Sequence, residues 1–179
     1  QAQRYVRRLG FTLQMPSYRY LQAKQKGVVK FHRTVKKQLR KALRFCHQRG
    51  VLFQDESGYC RHPKLGWVWA KRGQRPVVVT RSQRSGRLNL FGWVNPLTGE
   101  HGVMQAVPGN TDAFLAQLQM LVTRFQGKIV DLWVDNASWH KGPRVRAFLK
   151  LHLHWFHLHY HPPYHPELNP QERIWHRLR

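Results

Sequence analysis

Acid is scarce in this chain. Against 31 Lys and Arg it carries only eight Asp and Glu, a formal net charge of +23. A compact body with that imbalance repels itself unless a polyanion or counterions offset it, so nucleic acid is the natural partner. Cysteine is almost absent: Cys46 and Cys60 form no CxxC pair, which excludes a disulfide framework and leaves two reduced, partly buried thiols as the expectation. No apolar run is long enough to span a bilayer or to form a signal-peptide core, so no membrane partner and a soluble intracellular protein are expected.

What is present favours a folded body. Apolar residues make up 41% of the chain and include seven tryptophans, grouped in periodic blocks. With 179 residues the expectation is one domain plus an appendage. The chain starts at Gln1 and stops at Arg179 inside a predicted helix, so it reads as a fragment.

The first 54 residues hold 14 of the basic residues and none of the acids, which divides the chain into two functional regions. Within "FHRTVKKQLRKALRFCHQRG" the spacing predicts a basic amphipathic helix, with Val35, Leu39, Leu43 and Cys46 on one stripe and Gly50 as its stop. Lys36, Lys37, Arg40 and Lys41 lie elsewhere on the cylinder, either as a solvated face or as contacts to a DNA backbone.

From Val51 the pattern changes. "VLFQ", "GWVWA", "LNLFGWV", "KIVDLWV" and "LHWFHLHY" read as strands, and "TGEHGVMQAV" as the return of a hairpin after the Asn95-Pro96 turn. "TDAFLAQLQMLVTRF" and "GPRVRAFLKL" read as helices, and a final helix follows Pro166. A strand meander followed by alternating helix and strand predicts a mixed sheet flanked by helices, an α/β fold. Between the early strands Arg72, Arg75 and Arg84 form either a phosphate-tracking loop or a solvated hairpin.

Three of the scarce acids stand out. Asp55 and Asp135 each follow an apolar strand, and Glu172 falls in the first turn of the last helix; 80 and 37 residues separate them, so only a tertiary fold can gather them. Converging carboxylates in a basic protein suit hard divalent cations such as Mg²⁺, two of which can serve phosphodiester chemistry. Each acid also has a local reading: Asp55 and Asp135 as polar strand ends, Glu172 as N3 of a capping box opened by Asn169 with Pro170 at N1. Six histidines in "LHLHWFHLHYHPPYH" offer a competing zinc site, against which stands the lack of a nearby cysteine.

Three blocks, "LFQDESGYCRHPKLGWVWAKRGQRP", "LWVDNASWHKG" and "PPYHPELNPQERIW", resemble the signature blocks of a DDE transposase in the bacterial insertion-sequence branch of the mariner superfamily. The resemblance implies a ribonuclease-H-like fold with a basic N-terminal helical extension. Residues 1–50 would be the tail of a helix-turn-helix DNA-binding region plus linker, and 51–179 a catalytic domain shortened at its C-terminus. It implies Asp55, Asp135 and Glu172 as catalytic ligands of two Mg²⁺ ions, with Mn²⁺ able to substitute and no nucleotide cofactor. The implied reaction is hydrolysis at transposon ends, followed by transfer of the freed 3′-hydroxyl into target DNA. Double-stranded DNA is then the partner, a homodimer is expected by analogy, and the location is the bacterial cytoplasm. Asn136 and His140 would stand behind the metal ligands or contact phosphate, and Asn169 would cap the helix. The family usually carries Ser where His165 stands and an apolar residue near His161, so this chain departs from the pattern beside the site. An inactive DNA-binding remnant and another ribonuclease-H-like nuclease or integrase are the alternative readings.

Overall fold

A computed structural model describes residues 2–11, 25–60, 77, 87–106 and 110–178. Helix α1 (Ala2–Arg8) is followed by α2 (Gln25–Arg44), then β1 (Arg49–Cys60), β2 (Arg87–Val94) and β3 (His101–Ala106). Helix α3 (Thr111–Arg124), β4 (Ile129–Val134), α4 (Pro143–Leu151), β5 (Phe156–Tyr160) and α5 (Pro170–Leu178) complete the order. The five strands form one sheet in the order β3-β2-β1-β4-β5. The first three strands pair antiparallel, whereas β1, β4 and β5 pair in parallel, which makes the mixed sheet expected from the sequence. Among the described residues no helix is long and apolar enough to cross a membrane.

Strand alternation sorts the core into two faces. Leu52, Phe91, Trp93, Val130, Leu132 and Val134 pack with Phe114, Leu118 and Leu121 of α3 and Val145 of α4. Val51, Phe53, Val94 and Trp133 point the other way, against Phe31, Val35 and Ala42 of α2, with Ile174 of α5 alongside. Asp55 continues the series of Val51 and Phe53, and Asp135 continues that of Asp131 and Trp133. The two aspartates therefore belong to the α2 and α5 side of the sheet.

Several local expectations need correction. The buried stripe of α2 runs through Phe31, Val35, Gln38 and Ala42, while Leu43 and Cys46 are exposed. Four residues of helix turn through about 400°, so a row stepped by four drifts about 40° each time and leaves the core face. The helix also stops at Arg44, and Gly50 already belongs to β1. Strand β1 continues through Asp55 to Cys60, so this aspartate is inside a strand, just beyond the Phe53–Trp133 pairing where parallel β4 runs out. The last helix comes in two pieces, a 3-10 turn at Pro166–Leu168 and then α5. The predicted strand "GWVWA" and the segment containing Arg72, Arg75 and Arg84 lie outside the described residues.

Candidate functional site

Helix α5 reaches the sheet because the strand beneath it has no side chain in the way. Gly92 is the β2 partner of Asp55, and a Cβ there would fall inside van der Waals contact of Gln171 Nε2 and the Trp175 ring. Gln171 and Trp175 are fully buried in that approach. The start of the helix is tied separately. Asn169 accepts from the Gln171 backbone N–H at 3.1 Å and donates through Nδ2 to the Gln54 carbonyl at 2.9 Å. The predicted cap is therefore also a strut to the residue before Asp55, and Glu172 sits in the first turn so held.

Asp55, Asp135 and Glu172 line one open cavity of about 520 Å³, together with Asn136, Asn169 and the loop from His161 to Pro166. Tyr164 in that loop takes a left-handed backbone, φ 64°, a conformation bulky residues rarely adopt. The Asp55 carboxyl is pushed up from 3.8 to about 8, by burial first and then by the Glu172 charge, with smaller contributions from Asp135 and Glu56. Its Oδ2 is buried without a hydrogen-bond partner among the described residues. Three carboxylates lining one cavity, one of them pushed up by burial and carrying an orphaned oxygen, are a donor set suited to a hard cation. Among the described residues no three His, Cys, Asp or Glu side chains close into a metal cage.

The residues around Asp135 hold it in place. His140 is buried, with Nδ1 2.9 Å from Asp135 Oδ1 and Nε2 3.2 Å from Glu56 Oε1. Burial alone would depress the imidazole, but the hydrogen bonds to Asp135 and Glu56 reverse this and raise its pKa. Burial would likewise raise Asp135, and His140 together with the Ala137 N–H lowers it instead. Tyr160 donates to the His140 carbonyl at 3.0 Å and Trp139 Nε1 donates to Glu56 at 3.1 Å. Asn136 donates to the His161 carbonyl at 2.6 Å and accepts from Lys141 Nζ at 2.8 Å, so its side chain braces two chain segments at the cavity rim. The role of Glu56 as a partner of His140 is not visible in sequence, because the two meet only through tertiary packing.

The histidine-rich strand is engaged by protein. His159 Nε2 lies 2.8 Å and His157 Nδ1 3.6 Å from Asp131 Oδ1, while Gln38 and Arg49 bind the same carboxylate at 2.9 and 3.3 Å. Gln38 also accepts from Trp133 Nε1 at 2.8 Å, which pins α2 to the sheet. His161 is buried against the aromatic rings of the same face, and burial pushes it down from 6.5 to about 4 despite the nearby Asp135 charge. On the outer side of α2, Arg33, Lys36, Lys37, Arg40, Lys41 and Arg44 line a second concavity of about 520 Å³ with Phe45. The N-terminal part of this helix packs against His161 of the cavity lining, with the Phe31 ring 5.4 Å away between centroids.

Comparison with known proteins bears on the family and the fold. The insertion element IS630 uncharacterized 39 kDa protein of Shigella sonnei is 32% identical over 145 residues, 78% of this chain and 41% of that protein. The chain thus spans under half the length of this curated relative. Among solved structures, the Mos1 transposase paired-end complex with left transposon end superposes with a TM-score of 0.62 at 18% identity, over 99% of this chain and 55% of that one. The Mos1 mariner paired-end complex with Mn gives 0.59 at 20% identity, over 99% and 56%. The shared fold is ribonuclease-H-like. The sequence pattern of the DDE superfamily endonuclease matches residues 50–179, a span that holds the sheet from the second residue of β1 onward and every carboxylate of the cavity. By that match the chain belongs to the DDE superfamily endonuclease family.

Proposed function

We propose that this chain is the catalytic part of a transposase of the insertion-sequence and mariner type. It cuts phosphodiester bonds at the ends of a mobile DNA element and joins the freed 3′-hydroxyl to target DNA. The observation that carries this reading is the convergence of Asp55, Asp135 and Glu172 on one open cavity of an endonuclease-family fold. The insertion-element name of the Shigella relative and the transposon end bound by Mos1 support it.

Asp55, Asp135 and Glu172 would hold two divalent cations, Mg²⁺ or Mn²⁺; a Mos1 paired-end complex contains Mn. When bound, such ions supply Lewis-acid activation of the attacking oxygen and offset charge at the leaving oxygen. The chain's own residues do the positioning. His140, fixed between Glu56 and Asp135, sets the orientation of the Asp135 carboxylate, and Asn169 sets the distance between the first turn of α5 and β1. Lys36, Lys37, Arg40 and Lys41 on α2 hold duplex phosphates, with Arg72, Arg75 and Arg84 as further contacts. Residues 51–179 act as the catalytic domain and the basic segment before them as its DNA-binding extension. Two copies working on paired ends, in the cytoplasm, complete the reading.

Nicking of supercoiled plasmid in Mg²⁺ or Mn²⁺ tests it. Cleavage that requires the metal, stops with EDTA and is lost in Asp135→Asn supports the proposal. DNA binding without cleavage in the parent chain favours a DNA-binding protein instead.

A further inference from the structure

A second concavity adjoins the carboxylate cavity along α5. It measures about 720 Å³, its lining includes Glu167, Arg173, His176 and Arg177, and it shares Asn169 and Glu172 with the carboxylate cavity. The basic concavity of α2 has no lining residue in common with either, so this is a separate surface. Arg173 and Arg177 are both exposed. They stand about 6 Å apart along the helix axis, four residues on, and so share one side of it.

Three arginines elsewhere that lie near an acid pair with it: Arg124 with Glu100 at 2.7 Å, Arg144 with Asp112 at 2.6 Å and Arg49 with Asp131 at 3.3 Å. Arg173 and Arg177 share their concavity with two acids, yet neither forms an ion pair or hydrogen bond among the described residues. Those acids are engaged otherwise. Glu167 Oε1 lies 2.7 Å from His165 Nδ1, and the Glu172 charge acts on Asp55. Two guanidinium groups are left for an anion from outside. A small free anion would meet Glu167 and Glu172 in the same lining. A DNA strand with one phosphodiester in the carboxylate cavity brings its next phosphates here by connectivity, and a guanidinium fork matches phosphate oxygens.

We infer that Arg173 and Arg177 hold the phosphates that flank the scissile one on the cut strand, an inference that rests on the carboxylate cavity being the cleavage site. Helix α5 then supplies both a carboxylate of the site and the track that leads the strand into it. The two arginines are positioning residues. By fixing the strand's register they select which phosphodiester reaches Asp55, Asp135 and Glu172.

Cleavage of a short duplex in Mn²⁺ tests this, with uncharged methylphosphonates replacing single phosphates beside the mapped cut. Neutralising a flanking phosphate should slow the parent chain about tenfold. The double variant Arg173→Ala with Arg177→Ala should be slowed to a similar degree, and the same methylphosphonate should then cost it little, because the contact is already gone. Replacing Lys36, Lys37, Arg40 and Lys41 with Ala should leave that sensitivity intact. In EDTA the double variant's slope of log affinity against log salt should fall by roughly 2. Arg173→Lys with Arg177→Lys should restore the slope, and circular dichroism checks the fold. If the two losses add at every flanking position while cutting still requires metal and Asp135, the arginines form a solvated face and the inference is refuted, with the cleavage reading left standing. If the parent makes no metal-dependent cut, or Asp135→Asn cuts equally, both fall together.

Discussion

The Asn169 side-chain amide donates to the backbone carbonyl of Gln54 at 2.9 Å, joining the first turn of α5 to the strand residue beside Asp55. The same side chain caps the helix through the Gln171 N–H. One residue therefore sets how far Glu172 stands from Asp55.

Asn169→Ala removes both bonds and should cost about 1–3 kcal/mol of stability. Metal-dependent plasmid nicking should fall at least tenfold although all three carboxylates remain. Asn169→Asp keeps the capping oxygen and loses the donor, so it should recover part of the melting temperature with little of the nicking. Equal rescue of both would refute the strut.

Gly92→Ala tests the close approach of α5. A methyl group there must displace Gln171 or the Trp175 ring. Overpacking of this kind costs about 1–3 kcal/mol, measurable by denaturant unfolding. A variant as stable as the parent would mean that α5 sits further from β2 than described.

Asp131 gives a pH test away from the cavity. Burial would raise this carboxyl, but the His159 hydrogen bond, with Arg49 and His157 contributing, holds it below 3.8. A carboxylate depressed by folding stabilises the native state above its unfolded pKa, and that stability is lost as pH falls through the folded value. Asp131→Asn should therefore destabilise by about 1–3 kcal/mol at neutral pH. The difference should shrink as pH drops below 3.8. A difference that stays constant down to pH 2 would contradict the pairing.

The basic face of α2 predicts a salt signature. Replacing Lys36, Lys37, Arg40 and Lys41 with Ala should weaken duplex binding at low salt. It should also reduce the slope of log affinity against log salt by roughly 3–4, since each phosphate contact contributes about 0.9. An unchanged slope would assign these residues to a solvated face. None of the four is in the buried stripe of α2, so the fold should survive.

Much of this was legible in the residues because its signals are local. The apolar runs of β2 and β4, the hairpin return of β3 and the spacing of α3 all lie where periodicity places them. Asp135 follows its strand as expected, and Pro170 with Asn169 marks the helix start. What escaped was tertiary. Gln38 looks like a surface residue of a basic helix, yet it is buried between Asp131 and Trp133, 93 and 95 residues away. His140 reads as a neighbour of Asp135, but its second partner Glu56 is 84 residues distant. Gly92 carries no sign in sequence that a helix from the far end of the chain will cover it.

The most direct test of the account is calorimetric titration of Mn²⁺ into the parent chain and into Glu172→Gln, the carboxylate contributed by the most distant segment. The account predicts saturable binding in the parent and its loss in the variant, with the melting temperature of the metal-free protein little changed. Equal binding in both would mean that Glu172 does not share a cation with Asp55 and Asp135, and the single three-carboxylate site would have to be abandoned.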